Sequence, residues 1–176
     1  MESRRRMKEF RLQIQKVRCE SIDRRSFVPG SALSAIFTLQ TIKEAILELN
    51  CRPEDRVGLA DAIHQRGITT FAALIWMNRA DAIVVFRRRD FLNTAQMNEA
   101  VALDIVPSFG AEFVQDISPQ FHPHFFRLGE YVELSQHKIL PFLCQRGEPK
   151  SGGFGTVSKV EVHHLLQNFH TEAVWT

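Results

Sequence analysis

The stretch SALSAIFTLQTIKEAILELNCRP at 31–53 decides the fold class. Ile36, Leu39, Ile42, Ile46 and Leu49 recur at three- and four-residue steps, which places them along one face of a helix. Ser31 can cap its first turn, because a hydroxyl there accepts from a free first-turn amide. Asn50 and Pro53 stop it. One long helix over about 31–49 is the expectation.

The same periodicity extends to both sides. Met7, Phe10, Ile14 and Val17 form an apolar stripe over residues 3–20, with Arg and Lys around it. Two heptads could seed a coiled coil, but a sustained one needs about three to four, so packing against the rest of the domain is expected. FVPG at 27–30 is turn chemistry. After Asn50, Pro53 can open a third helix, since a first helical turn needs no proline amide, and Glu54 and Asp55 suit the positive end of its dipole. Val57, Ala60 and Ile63 continue that helix, and Gly67 is its expected C-terminal cap. Thr69 or Thr70 would then cap a fourth helix through Phe71, Leu74, Ile75 and Asn78. Residues 80–89, ADAIVVFRRR, fit a helix with cations at its C-terminal end, Arg87–Arg89 facing water.

Beyond Asp90 the pattern loosens. Pro107, Gly110, Pro119 and Pro123 cut the chain into short pieces, with Phe109, Phe113, Phe121, Phe125 and Phe126 as anchors. From Tyr131 the runs YVEL, ILPFLC and SKVEVHH read as short strands around the glycine-rich SGGFGTV. The expected fold is therefore mainly α: an irregular helical bundle with a short C-terminal β-hairpin. The domains expected are a helical accessory unit over 1–130 and a strand-bearing unit over 131–176.

Composition removes several function classes. The chain has 176 residues, 44% hydrophobic and 24% charged, as an ordinary globular domain has. Its three cysteines, Cys19, Cys51 and Cys144, form neither a CxxC spacing nor an even disulfide set, so an intracellular setting (cytoplasm or nucleus) is expected. No apolar run approaches the roughly 20 residues of a membrane span. Net charge is +2, with nine Lys/Arg against four Asp/Glu in residues 1–25. A basic N-terminal helix alone does not make a nucleic-acid binder, which presents a basic face across its domain. His122, His124, His163, His164 and His170 lack the helical spacing of a zinc site, so no metal is expected. No GxSxG occurs, and no catalytic residue is assigned.

KSGGFGTVSKV at 150–160 resembles the glycine-rich loop of protein kinases, G-x-G-x-x-G-x-V. In that family the loop joins two antiparallel strands over the phosphates of ATP. A β-carbon there would hold the backbone away from the phosphates. By this resemblance Gly152 and Gly155 take the second and third glycine positions, and Gly153 adds freedom. Phe154 would close over the nucleotide and Val157 would lie on the adenine. Lys150 occupies the first glycine position, a departure from the pattern. The segment ILPFLCQRGEPKSGGFGTVSKVEVHH is similar to the start of the kinase domain in a group of fungal kinase-like proteins, whose pattern is GSGGFGxVYKVxIHPxHH. FAALIWMNRADAIVVFRRRDF at 71–91 and FHPHFFRLGEYVEL at 121–134 are similar to the helical segments ahead of it.

A kinase also needs a lysine on the α- and β-phosphates, a catalytic Asp with Asn, and a magnesium-binding Asp. About 20 residues follow the loop, with no VAIK, HRD or DFG, and Lys159 comes too soon after Val157 to be that lysine. The resemblance thus implies a non-catalytic regulatory or interaction module with a remnant phosphate loop. ATP affinity would be weak or absent, magnesium would come only with ATP, and a protein partner would meet the helical domain. Two alternatives stand beside it. One is the N-terminal part of an active ATP-dependent Ser/Thr kinase. The other is a helical assembly protein that dimerises through residues 3–20.

Overall fold

The computed structural model describes residues 5–131, 133, 137–153 and 155–169. Its first helix, α1 (Arg5–Val17), buries Met7, Phe10 and Ile14 and leaves Leu12 in solvent. The stripe that a dimer seam would use is thus spent inside the molecule. Phe10 lies 4.4 Å from Phe37, and Phe37 lies 6.0 Å edge-on from Phe71, so three rings tie three helices together. Burying each such ring is worth about 1.5–3 kcal/mol. The Glu48 carboxylate accepts the free first-turn amides of Arg6 (2.9 Å) and Met7 (3.3 Å), capping α1 from another part of the chain. Arg6 also pairs with Glu9 and Glu44.

The expected single helix over 31–49 is two. α2 (Gly30–Ile36) ends at Phe37, Thr38 is extended, and α3 (Leu39–Ile46) begins there. Thr38 Oγ1 accepts the Thr41 amide at 3.2 Å, a local cap that competes with continuing the helix. The break swings Phe37 inward between Phe10 and Phe71. Ser31 is not a cap; Pro29 holds that position and Ser31 lies inside α2.

α4 (Pro53–Arg56) starts on Pro53 as the sequence predicts, but it stops at once. Gly58 adopts φ +63 and breaks the chain, not Gly67. α5 (Leu59–Ala62), a π turn (Ile63–Gly67) and α6 (Ile68–Trp76) then run on without interruption. The expected cap at Gly67 and new start at Thr69 or Thr70 are therefore overturned. Gly67 instead leaves room for Leu92, and Thr70 is buried, donating to the Leu92 carbonyl at 2.6 Å and meeting Thr94 Oγ1 at 3.0 Å.

Residues 80–89 are helical, a 3-10 turn (Ala80–Ala82) leading into α7 (Ile83–Arg88). Its arginines do more than face water. Arg87 donates to the Asp55 and Val57 carbonyls, Arg88 grips the Asp55 carboxylate, and Arg89 reaches Asp104. α8 (Glu99–Ile105) starts on Asn98, whose side chain accepts the Val101 amide at 2.9 Å. Then α9 (Gly110–Glu112), a second π turn (Phe113–Ile117) and α10 (Ser118–Phe121) make one helix over 110–121, where short pieces are expected. Pro119 sits in it directly after the π turn, where the regular ladder is already interrupted.

The strands make two-stranded antiparallel pairs: β1 (Cys19–Glu20) with β2 (Ser26–Phe27), β3 (Phe142–Gln145) with β6 (Val160–Val162), and β4 (Lys150–Gly152) with β5 (Gly155–Val157). The β1–β2 hairpin is not foreseen in the sequence reading. It receives the C-terminal strands through Ile22 N–H to the Phe142 carbonyl (2.7 Å) and Ser21 Oγ to the Leu140 carbonyl (2.7 Å). Phe27, Ile139 and Leu166 form a small second core beneath. Of YVEL, Tyr131 and Glu133 are not in a strand, and Val132 and Leu134 lie outside the described residues. The chain is mainly α, with short antiparallel strands concentrated at its C-terminal end. Among the described residues no helix is long and apolar enough to cross a membrane.

Candidate functional site

β3–β6 and β4–β5 are two lengths of one antiparallel arm. Gln145 pairs with Val160 and Lys150 with Val157, and between them Arg146 N–H donates to the Lys159 carbonyl at 2.8 Å. The first arm uses residues 146–149 where the second uses 158–159, so the excess bulges out at Gly147, which takes φ +78. At the far end Gly152 faces Gly155, whose φ of +139 only glycine adopts readily.

The backbone thus gathers Gly152, Gly153, Gly155 and Val157 around one open hollow, with Lys150 as the one cation among its described lining residues. Phe154 lies outside the described residues. Val157 is 74% exposed, and a β-carbon added at Gly152, Gly153 or Gly155 would meet nothing within 4 Å. Nothing described in this chain faces the hollow from the other side. At the root of the arm Glu161 pairs with Arg146, which holds its carboxyl below the usual range, and accepts from Cys144 Sγ at 3.4 Å. Burial, then that contact, pushes the Cys144 thiol up, away from a reactive thiolate.

The histidines are dispersed in role. His163 is buried edge-on against Phe27 at 5.6 Å, with its Nδ1 accepting the Leu165 amide at 3.2 Å. That leaves Nε2 as its protonated nitrogen, 3.5 Å from Cys19 Sγ. A ring in that tautomer cannot take the thiol's proton there, so the pair serves as a tie between β1 and the C-terminal strands. Among the described residues no three His, Cys, Asp or Glu side chains converge as a metal site would need.

Sequence reading missed a second place. His122 ends the helix over 110–121, its Nδ1 3.0 Å from the Ser118 carbonyl, and lines a hollow of about 360 Å³ with Lys138 and His137. A second hollow, about 420 Å³, adjoins it across Gln115, Pro119 and His137 and carries Arg18, Arg24 and Arg25. Burial lowers the pKa of Lys138, and burial with the Lys138 charge lowers that of His122. These cations are spread over residues 18–138 without any local motif, so only the fold brings them together.

No protein-family model, no curated protein and no solved structure matches this chain.

Proposed function

We propose that the chain is a non-catalytic regulatory or interaction module of a fungal protein-kinase-like protein, which includes the opening hairpin of the kinase lobe. The observation that carries this reading is the antiparallel arm with Gly152 opposite Gly155 at its tip, rooted on a helical domain. A backbone of this kind can approach phosphate oxygens as no substituted turn can.

The same geometry supports a remnant rather than a working site. A triphosphate needs a lysine and magnesium ligands to neutralise it. Among the described residues the hollow offers Lys150 alone, opposite the exposed Val157. Weak or absent ATP binding follows, with magnesium present only as its companion. The helical face is left to contact a protein partner.

The experiment is titration of the protein with Mg-ATP while following the amides of Gly152, Gly153, Gly155 and Val157 by NMR. The expected result is no saturation below millimolar ATP and no phosphate transfer to a generic substrate. Saturation at micromolar ATP would replace the remnant with a live nucleotide site.

A further inference from the structure

We propose that the trough formed by the two hollows beside the helix over 110–121 binds a phosphorylated peptide segment, with Lys138 lining one hollow and Arg18 and Arg24 the other as its basic contacts. This stands apart from the glycine turn, so a silent ATP titration leaves it intact.

Three observations meet here. First, the cations outnumber the acids: Arg18, Arg24, Arg25 and Lys138 against Glu99 and Asp116. Glu99 is already engaged by the Gln115 amide at 2.7 Å, and Arg25 by Asp23 at 2.6 Å.

Second, three of the cations have no carboxylate partner among the described residues. Lys138 is half-buried, where an unpaired ammonium is costly and an incoming oxyanion relieves the cost. Beside it, burial first and the Lys138 charge after it hold the His122 ring toward the neutral form. Arg18 is pre-oriented, its guanidinium 4.9 Å over the Trp76 ring and bonded to Gln120 Oε1 at 2.8 Å. A planar fork held this way keeps donors for a phosphate and loses little entropy on binding. Arg24 is held at the tip of the β1–β2 turn with φ +63, its amide on the Ser21 carbonyl at 2.8 Å.

Third, the site holds more than an isolated ion needs. The two hollows, about 360 and 420 Å³, share Gln115, Pro119 and His137, and Met97, Val114 and Pro119 give the first an apolar wall. An extended peptide can place a phosphate among the cations and an apolar side chain against that wall. Recognition of phosphorylated segments by clustered basic side chains works on these terms.

The test uses the full chain, a fluorescent serine-phosphorylated peptide with a flanking leucine, and its unphosphorylated copy. The phosphorylated copy is expected to bind at least about tenfold tighter, the difference made by one charge-assisted hydrogen-bond set. Lys138→Gln should lose about tenfold, and Arg24→Asn, which suits the left-handed turn, should lose a similar factor. Lys43→Gln, an exposed change on α3, should lose nothing. In the unaltered protein the peptide should shift the ring signals of His122 and His137 and leave His64 in place. Equal affinity for the two copies would overturn the proposal, as would undiminished binding by the Lys138 and Arg24 variants. Inorganic phosphate binding as tightly as the phosphopeptide would overturn the peptide assignment, since the wall would then contribute nothing. If Lys138→Gln fails to fold, the Arg24 variant and the histidine shifts decide.

Discussion

Gly110→Ala is the most demanding test of the helical packing. Gly110 opens α9 where it crosses α8, and a β-carbon built on it would lie 2.5 Å from both the carbon and oxygen of the Ala102 carbonyl, and 2.8 Å from the Leu103 amide nitrogen. Real β-carbons do not approach closer than 3.0 Å. All three neighbours are backbone, so no side chain can rotate away; α8 itself must move by several tenths of an ångström. That shift would loosen Ala102 and Ile105, both buried, from the core beside Phe113. Overpacking of a tight core costs about 1–3 kcal/mol and occasionally more, and with an immovable neighbour we expect the top of that range. With a urea m-value of about 2 kcal/mol/M, the midpoint should fall by about 1.5 M. Gly30→Ala is the control: its β-carbon meets nothing within 4 Å at the start of α2. Equilibrium unfolding followed by circular dichroism reads both. A Gly110→Ala midpoint no lower than that of Gly30→Ala would refute the crossing as described.

Two further expectations concern buried polar groups. Thr70→Val keeps the shape but removes the hydroxyl that serves both the Leu92 carbonyl and Thr94, so stability should drop by about 1–3 kcal/mol in a thermal or urea melt. No change would mean that the two remaining groups find other partners. Burial holds His122 and His163 below the ordinary imidazole value, so in the window beneath about pH 6.5 the unfolded chain binds more protons than the folded one. Stability should therefore be full above that window and decline as the pH falls through it toward the folded pKa values. His163→Asn, whose side-chain oxygen can still accept the Leu165 amide, should flatten part of the decline. An unaltered slope would remove His163 from the account.

The helix class was legible because the buried positions carry the period themselves: Met7, Phe10 and Ile14 in α1, Ile42 and Ile46 in α3, Ile83, Val84 and Phe86 in α7. Breaks were less legible, since they depend on distant packing. Gly58 and Gly67 look alike as stops, yet only Gly58 needs a positive φ, while Gly67 is small so that Leu92 can approach. Thr38 reads as an ordinary mid-helix residue until Phe37 is seen turning into the core. Pro119 marked a break that the π turn before it absorbs. For the glycine turn, the sequence motif and its hairpin coincide, with Gly152 and Gly155 facing each other. The basic trough has no local motif, because the hollow of Arg18 and Arg24 and that of Lys138 adjoin only when the β1–β2 hairpin folds against the segment that includes Ile139.

The clasp between that hairpin and the C-terminal strands has a temporal side. Phe27 is fully buried, but its partners Ile139 and Leu166 are made more than a hundred residues later. At 5–20 residues per second, a ribosome needs on the order of ten seconds to make that intervening chain. Through that interval the larger helical core can assemble around Phe37, Phe71 and Phe86 while Phe27 and the strand edges at 19–27 wait in water. Those edges are a part of the nascent chain that a chaperone can meet, until the segment with Ile139 and Leu166 closes over them.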